Sequence, residues 1–462
     1  MKAGSSFQRN LKYVIIIIVS TFFIHSLQAK DHSNFFQKPL DTGNQVTERC
    51  LQCHQAEGNS FMESVHWTWE SDQTTIPGHT EPVSLGKKSV LNNFCIGLKT
   101  NYPRCTSCHA GYGWEDTEFD FSDPKNIDCL VCHDNTGTYS KTPTGAGMPA
   151  DDVDLLNVAK NVGPTTRETC GSCHFYGGGG NNIKHGDLEN ALISPDRNLD
   201  VHMGGADMTC TDCHVTNDHN IQGNALSVST FSPRTVACEN CHSEEPHTSM
   251  KETLDRHAKK VACQSCHIPE FARANPTKLS WDWSTAGEDR SDITEQHGQH
   301  TYNKMKGTFT WGKNVIPEYR WYNGESIHML TGDKLNPSGA TAITEPMGSR
   351  MDPNSKLYPF KVHTGKQIAD SENEYLLPTH LFGGYWKHYD WEKAVAAGAK
   401  AYGLNYSGSH YFAETVMYWK VNHMVAPKEA SLGCGDCHTG SDDSRLDWKA
   451  LGYSRGDPMM NQ

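Results

Sequence analysis

Beyond Ile24 the sequence has no apolar run long enough to cross a bilayer, which excludes a polytopic helical membrane protein. Apolar residues are scarce throughout: they make up 36% of the 462 residues, and the mean hydropathy is −0.63. An ordinary chain of this length would be left with a thin core. Positive charge is also in deficit. Lys and Arg number 41 against 54 Asp and Glu, a net charge of −13, which argues against a nucleic-acid partner. A small anionic ligand would need a local cluster of cations to approach such a surface. Cysteine is nearly absent outside one short motif: of 17, only Cys95 stands alone.

The other 16 form eight Cys-x-x-Cys pairs: Cys50 and Cys53, Cys105 and Cys108, Cys129 and Cys132, Cys170 and Cys173, Cys210 and Cys213, Cys238 and Cys241, Cys263 and Cys266, Cys434 and Cys437. Histidine follows every pair at once, as His54, His109, His133, His174, His214, His242, His267 and His438. With 25 histidines in the chain, chance would put one after fewer than one of the eight pairs. Structural zinc groups its ligands in fours and makes no such demand. Redox dithiols and disulfides do not make it either. Cys-x-x-Cys-His is the attachment signature of c-type haem. The two thiols form thioethers to the porphyrin, and the adjacent imidazole reaches the iron. The sequence therefore implies eight covalent haem c groups, whose macrocycles supply the apolar material that the side chains lack. The expected fold class is mainly α with extensive irregular loops, a multihaem cytochrome c built around a covalent haem array.

Lys2, Arg9 and Lys12 precede an apolar run over 14–24, and Ala29 offers a cleavage point, the form of a secretory signal. Haem c is attached outside the cytoplasmic membrane, so both features point to a periplasmic protein with no stable membrane insertion after cleavage. Three regions are expected. A signal peptide covers 1–29, and a haem-rich region over 30–267 holds seven motifs. An aromatic-rich cap over 268–462 carries a ligand-bearing helix and the eighth motif. Within that cap 407–424 reads as the helix, while WGKNVIPEYRWYNGE and YPFKVHTGKQ read as loops. Residues 30–48 read as an unstructured leader.

Each six-coordinate relay haem needs a second axial ligand. Seven histidines lie near the motifs in suitable segments: His66, His185, His202, His219, His247, His257 and His423. Those in the cap, among them His328 and His363, read as core or surface residues. One haem is then left over, and Lys184 is the candidate ligand for it. A lysine amine ligates iron only when deprotonated, which burial beside a metal enforces. Lys184 sits in CGSCHFYGGGGNNIKHGDL, residues 170–188, where four glycines let the backbone pass close to a macrocycle. In this reading the stretch serves three haems, through His174, His185 and Lys184. Cys95 lies among Lys87, Lys88, Lys99 and Arg104, a cationic setting that favours thiolate.

Longer segments carry a resemblance. NNFC before CTSCHAGYGW, CHFYGGGG with IKHGDL, DVHMGG before CTDCH, RHAKKVACQSCHIP and NHMVAPKEASLGCGDCH together resemble the octahaem tetrathionate reductase family of periplasmic multihaem cytochromes c. That family is related to pentahaem nitrite reductase and hydroxylamine oxidoreductase. The resemblance implies that the haem of Cys105, Cys108 and His109 is the reactive one, with Lys184 as its distal ligand and Cys95 nearby. It implies reduction of tetrathionate to two thiosulfates, with electrons from a donor protein such as another c-type cytochrome. Pentahaem nitrite reductases also place a lysine on the catalytic iron, but from a Cys-x-x-Cys-Lys motif. Here all eight motifs end in His, so the lysine comes from the opposite face. For the dianionic substrate, Lys99 and Arg104 are the best-placed cations, with Lys361 and Lys366 in the cap as further candidates. Two other readings stay open. One is reduction of nitrite or hydroxylamine to ammonia at the same haem; the other is a pure electron-transfer cytochrome with eight bis-histidine haems.

Overall fold

The computed structural model describes residues 31–94, 97–223, 235–440 and 444–460. The signal-like segment and Cys95 lie outside these residues. Helices are short, and many belong to the motifs. Cys-x-x-Cys-His spans about one helical turn, which puts its three chemical groups on one face. Leu130–His133, Arg167–His174, Cys210–Cys213, Cys263–His267 and Cys434–Cys437 are such turns. Polar side chains start several of them. Thr166 accepts the N–H of Thr169, and the Asp212 and Asp436 carboxylates accept the N–H groups of Thr209 and Gly433. Among the described residues no helix is long and apolar enough to cross a membrane.

The expectation of a mainly α protein does not hold. Residues 277–420 are organised by an eight-stranded mixed sheet. Its strands are β1 Thr277–Asp282, β2 Tyr302–Asn303, β3 Gly307–Gly312, β4 Glu318–Tyr322, β5 Ser326–His328, β6 Thr341–Pro346, β7 Lys356–Asp370 and β8 His410–Lys420. The order across it is β5-β6-β8-β7-β1-β3-β2, and β4 pairs with the first part of β7. Two pairs, β6 with β8 and β7 with β1, run parallel. The spine is the antiparallel pair β7 and β8, in register from Phe360 opposite Lys420 to Asp370 opposite His410.

The segment expected as a ligand-bearing helix is thus strand β8. Its side chains give the reason. Tyr411, Phe412, Thr415, Val416, Tyr418 and Trp419 are aromatic or β-branched, and burial alternates through Ala413, Thr415 and Met417 with a period of two. WGKNVIPEYRWYNGE likewise contributes to β3 and β4, and YPFKVHTGKQ lies wholly within β7. The 30–48 segment is not a free leader either. Thr42 caps the helix Gly43–Cys50, and Phe36 and Val46 are buried with Leu130, Leu155 and Val158.

The main apolar cluster joins Trp281, Phe309, Ile343, Ile368 and Trp419 of the sheet to Leu377, Tyr385 and Val395. A cavity of about 4480 Å³ is lined by 13 of the 16 motif cysteines and by Lys184, His185, Trp419 and His328. It is several times larger than a pocket for one small ligand, which runs to roughly 1,000 Å³ at most.

Candidate haem sites and the exceptional motif

No disulfide joins any of the 16 motif cysteines. Among the described residues, no three His, Cys, Asp or Glu side chains gather as they would around a zinc ion. The histidines instead face each other in twos. Ring centres lie 6.4 Å apart for His54 and His32, 6.1 Å for His174 and His66, and 6.4 Å for His133 and His219. They lie 6.0 Å apart for His242 and His202, and 6.4 Å for both His214 with His423 and His438 with His257. Two imidazoles on opposite sides of one iron have centres roughly 6 Å apart, from about 2 Å per metal–nitrogen bond and about 1 Å from nitrogen to ring centre. His247 is the strongest electrostatic neighbour of His267.

The second nitrogens agree with this. Nδ1 lies 2.8 Å from the Gly163 carbonyl in His133, 2.9 Å from Gln222 in His214 and 2.8 Å from Thr253 in His257. In His247, His423 and His438 it meets the carboxylates of Asp255, Asp187 and Asp457 at 2.7, 3.2 and 2.8 Å. An acceptor at Nδ1 fixes the ring and its tautomer, leaving Nε2 as the nitrogen for a metal. Thiol pairs, apposed imidazoles and a large cavity together fit covalent haem c.

Of the seven distal candidates, the structure brings His66, His202, His219, His257 and His423 opposite motif histidines, and His247 beside His267. His185 is not brought opposite any. Its ring lies 5.3 Å from that of Trp419, and burial, with Lys184 next to it, holds its pKa well below the usual imidazole range. His32 takes a place that sequence reasoning missed, because 30–48 read as a leader. The available signal was a histidine in the segment that leads into the first motif.

His109 is the exception. In five other motifs the His N–H reaches the carbonyl of the first cysteine, but the His109 N–H goes to Thr106 at 2.8 Å. Its ring sits among Trp67, Trp69 and Trp114, at 5.1, 5.3 and 4.8 Å between centres. Nε2 lies 2.8 Å from the Trp67 carbonyl, and Nδ1 is buried with no hydrogen-bond partner among the described residues. Among the described residues no imidazole stands opposite it. Burial pushes its pKa down to about 3, helped by the cations Lys141, Lys88 and Lys87. Lys87 donates to the Cys105 carbonyl at 3.2 Å, and Lys141 pairs with Asp128 at 2.8 Å while donating to the His109 carbonyl. Arg104 donates to the Pro143 carbonyl at 2.7 Å, and Lys99 lies 5.0 Å from the Tyr402 ring centre.

Lys184 lines the cavity together with Cys108 of this motif, and its Nζ lies 4.8 Å from the Trp419 ring centre. The glycine run stands against the lysine stem: a Cβ on Gly177 would come within 3.1 Å of Lys184 Cδ. Lys361 is not a cation facing a ligand. It is fully buried, and its Nζ donates to the carbonyls of Ile183 and Lys184. Lys366 is half-buried in β7, opposite Glu414.

A family model described as bacterial cytochrome c matches residues 278–441. The crystal structure of an octahaem cytochrome c from Shewanella oneidensis is similar with a TM-score of 0.88 and 48% identity, covering 94% of this chain and 98% of that one. An uncharacterised protein of Archaeoglobus fulgidus is 26% identical over 245 residues, 42% of this chain and 82% of its own length.

Proposed function

This chain belongs to the octahaem tetrathionate reductase family of multihaem cytochromes c, and from that premise we propose that it reduces tetrathionate to two thiosulfates at the haem of Cys105, Cys108 and His109, with Lys184 as distal ligand. The supporting observation is the exception described above. Among the described residues seven motif histidines have an imidazole neighbour and His109 has none, and Lys184 and Cys108 line the same cavity. With His32 in place of His185, seven histidines and one lysine supply a distal ligand for each of eight haems. His185 is then left beside Lys184 to hydrogen-bond an incoming anion.

Covalent haem c supplies one-electron transfer and, where a distal ligand can leave, an iron position open to a small anion. The reaction adds two electrons to tetrathionate and breaks its central sulfur–sulfur bond, with no proton consumed. Lys87, Lys88, Arg104 and Lys141 gather positive charge around the motif and offset the net charge of −13 for a dianion. The Lys184 amine would hold the iron only as the neutral base, and it would be the ligand to give way to an anion. Cys95, flanked in sequence by Lys87, Lys88, Lys99 and Arg104, acts as a thiolate on one central sulfur. Its attack expels one thiosulfate and leaves the other bound to Cys95; two electrons then release the second and restore the thiolate. The N-terminal segment exports the chain to the periplasm, and another c-type cytochrome or similar protein donates the electrons.

Steady-state assays of the holoprotein with a reduced viologen and tetrathionate, nitrite or hydroxylamine test the substrate. Tetrathionate is expected to turn over; ammonia formation without tetrathionate turnover would transfer the assignment to nitrogen-oxide reduction. The wild type is expected to show a low-spin lysine–histidine haem signature that Lys184→Ala removes. Its absence, together with no turnover of any acceptor, would leave an electron-transfer cytochrome.

A further inference from the structure

Lys361 lies in β7 with its side chain completely buried. A buried lysine is costly unless its protons are taken up. Here Nζ donates to the carbonyl of Ile183 at 2.8 Å, to that of Lys184 at 2.9 Å and to the Thr277 hydroxyl. Thr277 in turn donates to the Asn182 carbonyl at 2.6 Å. Three acceptors around one nitrogen call for three N–H groups, which only the ammonium has. Burial pulls the other way and lowers the pKa, while the charge of Asp187 opposes it. The approach is close: a Cβ on Gly186, φ 88°, would lie 3.1 Å from Lys361 Cδ. The Gly186 carbonyl is held as well, by the Ala272 N–H at 2.6 Å.

The two carbonyls that Lys361 bridges are the ones on either side of the Lys184 Cα. Holding both fixes the backbone torsions of Lys184 and so the direction in which its side chain leaves. We propose that Lys361 is a positioning residue: by clamping these carbonyls it aims Lys184 into the cavity. The inference rests on the reading of Lys184 as a distal ligand. A four-carbon side chain has many rotamers, and an anchored base is what makes one of them available to a distant atom.

Lys361→Met keeps the aliphatic stem and removes the ammonium. The readouts on the holoprotein are the low-spin lysine–histidine signature and the low-spin bis-histidine signals, the latter as a control for folding. The lysine–histidine signature is expected to be lost and replaced by a high-spin one, with the bis-histidine signals at wild-type intensity. Its retention in a variant with intact bis-histidine signals overturns the inference and leaves the role of Lys184 standing. A signature that survives Lys184→Ala overturns both. Where Lys361→Met loses the bis-histidine signals too, Thr277→Val decides, since it removes one Lys361 partner and the bond to Asn182. Partial loss of the lysine–histidine signature supports the clamp, and full retention overturns it.

Discussion

The Asp187 carboxylate lies 3.2 Å from His423 Nδ1 and also accepts the backbone N–H groups of Asn422 at 2.7 Å and His423 at 3.0 Å. One short loop therefore carries Lys184 and orients the histidine opposite His214. Burial alone would lower the His423 pKa, but the hydrogen bond and charge of Asp187 outweigh it and raise the value. Burial would raise Asp187, and His423 outweighs that in turn, so the carboxyl is lowered. A carboxylate on the far nitrogen makes an imidazole a more basic metal ligand. Asp187→Asn is expected to raise the potential of the haem between His214 and His423. The size is on the order of 60 mV, one tenfold step of a one-electron couple. A potentiometric titration followed by haem spectroscopy checks this, and an unaltered set of potentials counts against the link.

His32 faces His54 across 6.4 Å at the very start of the described chain. Removing it with His32→Ala is expected to expose one more iron. The holoprotein should gain a high-spin signal that cyanide converts back to low spin, while the other low-spin signals persist. Electron paramagnetic resonance before and after cyanide reads this directly. If the low-spin population matches wild type, His32 is not a ligand.

The motif chemistry was legible because its signal is local. Two thiols and an imidazole within one helical turn need no tertiary context, and histidines that face a motif imidazole, such as His202 and His257, lie only a few residues ahead of a motif. Strand β8 was not legible as a strand because a helix period was imposed on HYFAETVMYWK. Its alternation only carries meaning once β7 and β6 lie on either side of it. Lys361 was misread as a substrate cation because nothing near it in sequence announces its partners, the Ile183 and Lys184 carbonyls, which lie far away in the chain. His32 was passed over since a polar segment looked like a leader until Phe36 and Val46 were seen to anchor it.

His328, at the end of β5, lines the cavity at 1% exposure, with neither ring nitrogen hydrogen-bonded among the described residues. Burial pushes its pKa down to about 4 from 6.5. The unfolded chain therefore takes up a proton here as pH falls below 6.5, while the folded chain stays neutral until about 4. Stability linked to this group is fully present above the upper value and is lost on acidification through the window. The loss approaches about 3 kcal/mol. Thermal unfolding of wild type and His328→Gln at about pH 7 and about pH 4.5 measures it. The variant should lose less stability on acidification; an equal fall in both proteins assigns the acid sensitivity elsewhere.

Cys95 itself lies outside the described residues, but its flanks are pinned. Asn93 is fully buried, donates to the His363 carbonyl at 2.8 Å, and accepts from Gln367 at 2.7 Å and Thr415 at 2.8 Å. The Phe94 ring lies 4.4 Å from that of His363 and 6.1 Å from that of Trp419, the indole against which Lys184 lies. Downstream, the Tyr402 hydroxyl accepts the Lys99 N–H at 3.1 Å. Phe94 is thus packed on the same indole that Lys184 lies against. A thiolate attacks sulfur, whereas a serine hydroxyl stays protonated near neutral pH and does not. Cys95→Ser is expected to lower kcat/KM for tetrathionate by on the order of 100-fold or more, with every haem signal unchanged. Turnover at the wild-type rate would remove the nucleophile and leave a route to the sulfur–sulfur bond that does not pass through Cys95.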